Sequence, residues 1–319
     1  MEFIRRNGMV LGLILVLIAA VSFMISWDST EDDLARELEA EPDISVYFHE
    51  TGEIKTMKLE EYLQGVVAGE MFPDWPVEAY AAQAIFARSF TMAFLADGGL
   101  KEKYGADIST DINEAQAYNA QAITPEITKA VEMTRGQVMT YDNRFVKAWF
   151  HAYSGGITAT AVEGLGYQEE EPPYIRSTKL PDNQYVPEDV KNWSTEYSRD
   201  ELQALLAAAG VNVGNIQGIN ILEKGPTERI TKLEIIGDSG TTTVHGQEFR
   251  QYVDSTRMKS TLVSDFEFSD GVLKVAGTGY GHGVGLSQWD AYQMAKDGSS
   301  PEEIVKTFFK DIEIQKLYD

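Results

Sequence analysis

Glu70 lies in an apolar segment of the sequence, GVVAGEMFPDW, between two predicted helices. A carboxyl group among apolar side chains is poorly solvated, and its neutral form is then favoured. An acid that keeps its proton near neutral pH can act as a general acid. The alternative interpretation is a carboxylate that caps the start of the following helix. Glu70 is therefore the first candidate for a catalytic proton donor.

Gln83 and Arg88 interrupt a long apolar helix that the sequence predicts to begin at Pro76. Proline suits the first position of a helix because its missing N–H is not needed there. Both faces of this helix are largely apolar, so we expect it to be buried in the middle of the domain. A buried arginine needs a partner, for which Glu70 and Asp111 are the candidates. A structural ion pair is favoured over direct catalysis for Arg88.

A glycine-rich segment near the C-terminus, TGYGHGVGLSQ, holds His282, Ser287 and Gln288. Glycines at alternate positions allow a close approach of the backbone to a ligand, or a positive φ. His282 has little cover from its neighbours and could bind a sugar or donate a proton. The spacing is not that of the dinucleotide-binding fingerprint. We predict a ligand-binding loop, with a tight strand-to-helix connection as the alternative.

His151 and Ser154 lie close together in the segment HAYSGG. A serine nucleophile has little support because the chain lacks a G-x-S-x-G elbow. Zinc-site spacings such as H-E-x-x-H are also missing. A metal-dependent hydrolase centred on His151 and His282 is therefore the weaker alternative, and we expect no metal and no other cofactor.

Periodic apolar residues and turn signals predict helices and strands that are segregated rather than strictly alternating. Capping boxes at Ser198 and Ser300 open two of the helices. The predicted helices cover 59–68, 76–96, 128–134, 198–210, 246–253, 287–296 and a final segment from 300, and the predicted strands cover 44–48, 54–57, 138–141, 145–151, two or three segments of 216–244, 272–276 and 312–317. This pattern predicts an α+β fold, with mixed helices and antiparallel strands around a cleft.

The N-terminus carries an uncharged apolar run from Met9 to Ile25, preceded by Arg5 and Arg6. We interpret the run as one transmembrane helix, with the arginines in the cytoplasm. A cleaved signal peptide is the alternative, although its cleavage motif is poor. The expected organisation is a cytoplasmic tip and anchor at 1–27, an acidic juxtamembrane tether at 28–43 and an extracytoplasmic domain at 44–319. The protein is thus expected in the cell membrane as a single-pass protein.

Composition excludes several classes of function. The 319 residues carry a formal net charge of -23 and no cysteine. The acidic balance argues against binding to nucleic acid. The missing cysteines exclude a disulfide framework, an iron–sulfur cluster and a thiolate zinc site.

Several segments, taken together and in order, resemble the stage II sporulation protein D family. They are LEEYLQGVVAGEM at 59–71, WPVEA at 75–79, AQA at 82–84, ARS at 87–89, Thr110-Asp111 with Gln116 and Tyr118, SGG at 154–156, and GHGVGLSQ at 281–288. The similarity runs from about residue 44 to the C-terminus, so 44–319 would be a catalytic domain of this type.

The resemblance implies a peptidoglycan lytic transglycosylase, a carbon–oxygen lyase. It would cleave MurNAc–GlcNAc bonds of stem-peptide-free glycan strands during forespore engulfment and leave 1,6-anhydro-muramyl ends. A sporulation amidase and a polytopic membrane protein of the engulfment complex are the implied partners. Glu70 matches the catalytic glutamate of the family. The residues expected to bind the substrate are Gln83, Arg88, Tyr118, Ser154, His282, Ser287 and Gln288.

Two further points follow from the resemblance. Some members bind zinc through Cys and His near the segment that is 110–116 here, and this segment has neither residue type. Other relatives enhance amidases, so a non-catalytic wall-binding amidase enhancer is the alternative function.

Overall fold

The computed structural model describes residue 35 and residues 37–319 of the chain. The predicted membrane anchor at 1–27 lies outside these residues, as does part of the acidic tether predicted at 28–43. Across the described part of the chain, no helix has both the length and the apolar character needed to cross a membrane.

A β-hairpin comes first in the described part. β1 (Asp43–Phe48) and β2 (Glu53–Lys58) pair antiparallel, and β3 (Ile108–Ser109) joins the other side of β1 in parallel. Ile44 and Val46 of β1 are buried, whereas β2 is an edge strand whose residues are almost all exposed. The hairpin predicted for this segment is confirmed.

Two long helices form the centre of the first hydrophobic core. α1 (Leu59–Glu70) starts directly after β2, and α2 (Val77–Ala96) follows Pro76. Most of α2 is buried because it carries small or large apolar residues on all of its faces. Both helices match the prediction, and α1 extends to Glu70, two residues beyond the predicted end.

Further helices and a small sheet pack around α2. The sheet places β4 (Gln137–Tyr141) between β5 (Arg144–Phe145) and β14 (Glu313–Lys316). The remaining helices of this half are α3 (Lys101–Tyr104), α4 (Pro125–Met133), α5 (Ala161–Leu165), α9 (Gln288–Lys296) and α10 (Pro301–Phe308), and a 3-10 turn spans Ala120–Ala122. The capping box predicted at Ser300 is present.

A second hydrophobic core lies between residues 193 and 275. Two antiparallel sheets, ordered β10-β9-β8 and β11-β12-β7, supply most of its apolar side chains. The elements of this half are α6 (Glu188–Lys191), β7 (Trp193–Ser198), α7 (Arg199–Ala208), β8 (Ile216–Lys224), β9 (Ile230–Gly237), β10 (Gly240–His245), α8 (Gly246–Tyr252), β11 (Val263–Ser269) and β12 (Val272–Gly277).

The glycine-rich segment returns the chain from the second core to the first. β13 (Leu286–Ser287) pairs in parallel with β6 (Phe150–His151), and α9 begins immediately after it. Gly285 has a φ of 73°, and a Cβ at this position would lie 2.0 Å from the carbonyl oxygen of Trp149. Glycine is therefore required here for both the backbone conformation and the close approach.

The α+β prediction is confirmed, with two differences in detail. The strands include the parallel pairs β1–β3 and β6–β13 beside the antiparallel ones. The strand predicted at 145–151 is divided into β5 and β6, because Lys147 turns its backbone N–H toward the hydroxyl of Tyr174 at 2.8 Å instead of a neighbouring strand.

Candidate active site

Glu70 is the last residue of α1, and its side chain is half-buried. The backbone N–H of Ala117 donates a hydrogen bond to Oε1 of Glu70 at 2.6 Å. Burial raises the pKa of Glu70 to about 7, and the N–H of Ala117 offsets part of this effect. The carboxyl group therefore keeps its proton on a large fraction of molecules near neutral pH. The alternative of a helix cap is wrong, since no side chain caps the start of α2.

Two glycines of α1 allow the loop that carries Ala117 to reach Glu70. A Cβ at Gly65 would lie 2.2 Å from the ring of Tyr118, and one at Gly69 would lie 2.7 Å from the backbone of Ala117. Residues four apart lie on the same face of a helix. Gly65 and Gly69 therefore leave a face of α1 without side chains, and the loop that carries Ala117 and Tyr118 packs against it.

Tyr62 and Tyr118 form an aromatic stack on the same side of α1. Their rings lie 5.7 Å apart with an interplanar angle of 14°. The hydroxyl of Tyr62 is buried beside the side chain of Gln116. Burial raises the pKa of Tyr62, and the charge of Glu70 adds to this effect. Tyr62 was not predicted from the sequence, although it lies on the helical stripe that includes Val66 and Glu70.

Gln288 connects the glycine-rich segment to Glu70. Its Nε2 lies 3.3 Å from the backbone oxygen of Glu70 and 3.4 Å from Oε1 of Gln83. Nε2 of Gln83 is buried and has no partner among the described residues. The structure thus brings together three of the predicted site residues, from α1, α2 and the start of α9.

An aromatic cluster adjoins this group. Trp75 is buried, with its ring 4.7 Å from Trp289 and 5.0 Å from Tyr292. Phe72 lies 5.8 Å from Trp289 and is exposed. Phe72 and Trp75 belong to the apolar segment that carries Glu70, and Trp289 and Tyr292 belong to α9.

Ser154 and Ser287 belong to a buried network around Asp290. The two hydroxyls donate to Oδ2 of Asp290 at 2.7 and 2.5 Å, and Asn183 donates to Oδ1 at 3.3 Å. Burial raises the pKa of Asp290, and these hydrogen bonds oppose the rise. The network ties the loop at 154 to the start of α9, and so holds the adjacent Gln288. In this arrangement both serines are positioning residues, with no exposed surface.

His282 and His151 lie together, with ring centroids 5.5 Å apart. Nδ1 of His282 accepts the N–H of Val284 at 3.0 Å, and Nδ1 of His151 donates to the carbonyl oxygen of the same residue at 3.1 Å. Burial and the charge of Arg250 lower the pKa of His282 to about 3, and burial likewise keeps the pKa of His151 well below its usual range. Both imidazoles are neutral near pH 7, so neither histidine is an acid there.

Arg88 is a structural residue in this molecule. It has no exposed surface, and its Nε and Nη2 donate to Oε1 and Oε2 of Glu60 at 2.9 and 2.6 Å. Tyr318 and the backbone N–H of Gly136 donate to the same carboxylate. Burial opposes the charge on Glu60, yet Arg88 and these donors keep its pKa below the usual value.

The structure corrects the predicted partner of Arg88 and also argues against its predicted contact with a substrate. The predicted structural ion pair exists, but its partner is Glu60, not Glu70 or Asp111. The resemblance also predicts that Arg88 binds the substrate directly. Its side chain has no exposed atom that a substrate could reach.

The segment 110–116 offers no set of zinc donors. Asp111 accepts hydrogen bonds from Asn113, and Glu114 binds Lys103 and Tyr104. Zinc takes four ligands drawn from Cys, His and carboxylates. Within the described part of the chain, no group of three such residues is arranged to hold a metal ion.

Comparison with known proteins shows which proteins this chain is similar to. Residues 47–141 match a family model described as "Stage II sporulation protein", and residues 170–285 match one described as a domain of unknown function. The stage II sporulation protein D of Bacillus subtilis is 29% identical over 88% of this chain and 82% of that protein. Its counterpart in Bacillus amyloliquefaciens is 27% identical over 86% of this chain and 78% of that protein. The amidase enhancer of Bacillus subtilis is 23% identical over 77% of this chain but only 39% of that protein.

The first family model extends from the end of β1 to β4, and hence includes Glu70, Gln83 and Tyr118 together with their supporting helices. The sporulation proteins align over most of both chains. On these matches the chain is similar to the stage II sporulation protein D family over most of its length.

Proposed function

We propose that this chain is a lytic transglycosylase that cleaves MurNAc–GlcNAc bonds in stem-peptide-free peptidoglycan strands during forespore engulfment. The observation that carries the proposal is Glu70, a half-buried carboxyl group whose pKa is about 7. The similarity to the stage II sporulation protein D family supports a role in the sporulation cell wall. The nearby amide of Gln288 suits hydrogen bonds to hydroxyl and acetamido groups of a sugar, and Gln83, which has no exposed surface, holds this amide from α2.

In the proposed reaction Glu70 acts first as an acid and then as a base. Oε1 of Glu70 accepts the N–H of Ala117, which leaves Oε2 to carry the proton. This proton moves to the glycosidic oxygen as the bond from that oxygen to C1 of MurNAc breaks. The C6 hydroxyl of the same sugar then attacks C1, and its proton returns to Glu70. The products are a free GlcNAc hydroxyl and a 1,6-anhydro-muramyl end, with no water consumed.

One carboxyl group is sufficient for this chemistry because the nucleophile belongs to the substrate. A glycosidase that uses water normally needs a second carboxylate. Asp290 is buried, and its oxygens accept bonds from Ser154, Ser287 and Asn183. It is therefore occupied in holding the fold and is a poor candidate for activating water.

The proposal is tested by product analysis with Glu70→Gln, which keeps the shape of the side chain and its acceptor for Ala117. Stem-peptide-free glycan strands are digested with each protein and the fragments are identified by mass spectrometry. The wild-type chain should release fragments with anhydro-muramyl ends, and the variant should release none. Undiminished release by the variant would remove Glu70 from the mechanism.

The similarity to an amidase enhancer favours one alternative, a non-catalytic wall-binding protein. In that case the purified chain would bind glycan strands and stimulate an amidase while releasing no sugar fragments. An assay that measures released peptide and released sugar in the same digest separates the two functions.

We also propose that residues 1–27 anchor the chain in the cell membrane, with the catalytic domain outside and an amidase and a polytopic membrane protein as partners. The support is the uncharged run from Met9 to Ile25 behind two arginines. The full-length chain should remain with the membrane after a high-salt wash, and deletion of 1–27 should release it. Release of the full-length chain by salt would contradict the anchor.

A further inference from the structure

A series of aromatic rings runs over the surface from the neighbourhood of Glu70. The ring centroids are separated by 5.8 Å from Phe72 to Trp289, by 5.6 Å from Trp289 to Tyr292, and by 5.1 Å from Tyr292 to Tyr185. We call these four residues the aromatic track. Trp75 lies beneath it and contacts three of the rings.

The track is not an ordinary part of the core. Phe72 is 59% exposed and Tyr185 is 37% exposed, and Trp289 and Tyr292 are half-buried. Trp75, by contrast, is 6% exposed and serves as the floor. Large aromatic residues that stay in contact with each other and with water commonly mark a binding site.

The track begins at the candidate active site. Phe72 follows Glu70 by two positions, and Trp289 follows Gln288, whose side chain contacts the backbone oxygen of Glu70. A ligand that occupies the track would therefore extend directly toward the carboxyl group.

Charge indicates which kind of ligand suits the track. The chain carries a formal net charge of -23, and MurNAc residues without stem peptides carry free lactyl carboxylates. General charge attraction cannot therefore supply the affinity. The C–H faces of pyranose rings are uncharged and pack well on aromatic rings. The spacing between successive rings is comparable to the length of one sugar unit, and the tilts of 37–61° give separate steps instead of one flat plane.

We propose that the aromatic track is an extended glycan-binding subsite, in which consecutive sugars of an N-acetylated glycan strand stack on Phe72, Trp289, Tyr292 and Tyr185. This inference rests on the proposed function, since it assigns the glycan to the Glu70 site. It follows that the protein prefers long strands, because short oligomers cannot contact Glu70 and Tyr185 together.

The test uses the full-length Glu70→Gln chain and N-acetylglucosamine dimers, tetramers and hexamers as probes, with affinity measured by calorimetry. Tyr185→Ala should weaken hexamer binding by about tenfold and leave dimer binding unchanged. Phe72→Ala should weaken all oligomers, and Tyr185→Phe, which keeps the ring, should bind as the parent does. Leu222→Ala removes a similarly exposed side chain from β8 and is the matched control. All of these side chains are exposed, and thermal unfolding checks that each variant is folded.

The proposal would be overturned if Tyr185→Ala bound hexamers as tightly as its parent does. It would also be overturned if Leu222→Ala lost as much hexamer affinity as Tyr185→Ala. The proposed reaction is judged separately, by the anhydro products of the wild-type chain. Ring-dependent binding without anhydro products would therefore refute the reaction, and anhydro products without ring-dependent binding would refute the track.

Discussion

Glu70 illustrates how a single residue can be tuned by its surroundings. Burial in an apolar environment disfavours its charge, while one backbone N–H from Ala117 holds one carboxyl oxygen in place. The result is a pKa of about 7, at which the group can both give and accept a proton. Tyr62, buried on the same side of α1, keeps its own proton and adds no charge.

The first prediction concerns the pH dependence of glycan cleavage. The reaction needs protonated Glu70, so kcat/KM for stem-peptide-free strands should fall by about tenfold per pH unit above pH 7. The rate is to be measured from anhydro-muramyl product across the range in which thermal unfolding shows the protein to be folded. A rate that keeps rising through pH 8 would contradict the role of Glu70 as the acid.

The second prediction concerns stability and follows from the same group. The pKa of Glu70 is raised from 4.5 to about 7 on folding, so the folded chain binds more protons than the unfolded chain between these values. The free energy of unfolding should then decrease as the pH rises through this window. Glu70→Gln removes this effect and should be more stable than the wild type at pH 8, on the order of 1–3 kcal/mol, with little difference at pH 4. Urea unfolding at both pH values measures it, and equal stability at pH 8 would show that Glu70 is well solvated.

At this scale the sequence predicts the identity of Glu70 but not its contacts. The apolar neighbours of Glu70 indicate a raised pKa. The hydrogen-bond donor, the N–H of Ala117, lies in a loop 47 positions away from Glu70. The residue types of that loop do not indicate that it contacts Glu70. The partner of Arg88 is missed for a similar reason, since Glu60 lies in the first turn of α1 and resembles an ordinary surface acid.

Between elements, the most consequential contact is the docking of the 117–118 loop on α1. The third prediction is that Gly69→Ala loosens it, because the new Cβ would meet the backbone of Ala117 at 2.7 Å. Overpacking of this kind costs about 1–3 kcal/mol of stability, and the displaced donor should reduce kcat by roughly tenfold to a hundredfold.

Gly218→Ala is the matched control for Gly69→Ala. A Cβ at Gly218 would meet Ile236 at 3.6 Å, an ordinary contact distance, and the residue lies in β8, in the second core. Its kcat should equal that of the wild type. If Gly69→Ala also keeps full activity, then the loop does not position Glu70.

The fourth prediction concerns the ion pair that joins α1 to α2. Glu60→Gln leaves the buried guanidinium of Arg88 without a counter-charge, and this should lower the free energy of unfolding by about 3–5 kcal/mol. The wild-type contribution depends on ionised Glu60, so it should be present above the unfolded pKa of 4.5 and disappear as the pH falls below it. Urea unfolding at pH 7 is the measurement.

A surface pair gives the comparison for Glu60→Gln. Lys306 and Glu302 are four residues apart on α10 and both are exposed. Glu302→Gln should change stability by less than about 0.5 kcal/mol. Similar effects of the two variants would show that the pair at Arg88 is also well solvated.

The elements themselves are largely predictable where a periodic apolar pattern is long. α1, α2 and the hairpin follow from apolar spacing, and the capping box predicted at Ser300 is present. Ser198 caps α7 through its own side chain only, because Glu201 pairs with Arg257 instead of completing the box. β11 is missed because a bulge between Val263 and Asp265 breaks its alternation. β7 is missed because only Trp193 and Tyr197 of its six residues are buried, so most of the strand resembles a loop.

Over the described part of the molecule, the sequence predicts the α+β class but not the division of most apolar residues between two large hydrophobic cores. Apolar residues occur throughout 44–319, and composition does not show which of them pack together. The cores are connected through contacts far apart in sequence, such as Arg229, whose Nη2 donates to the carbonyl oxygens of Ser154 and Ile157. The candidate active site lies against the first core, whereas the glycine-rich segment connects the two.

The acidic charge of the chain is a second property of the whole molecule. A formal net charge of -23 opposes approach to an anionic wall. Affinity for the glycan must then come from local contacts, for which the amide of Gln288 and the aromatic track are the candidates. Membrane attachment would keep the concentration of the enzyme near its substrate high.

The central claim is that Glu70 transfers a proton to and from the glycan without the use of water. Digestion of stem-peptide-free strands in heavy-oxygen water, followed by mass spectrometry of the new muramyl ends, tests it most directly. We expect the wild-type products to carry anhydro-muramyl ends without solvent oxygen, and we expect Glu70→Gln to give no products. Incorporation of solvent oxygen into the new ends, or product formation by Glu70→Gln at the wild-type rate, would contradict the claim.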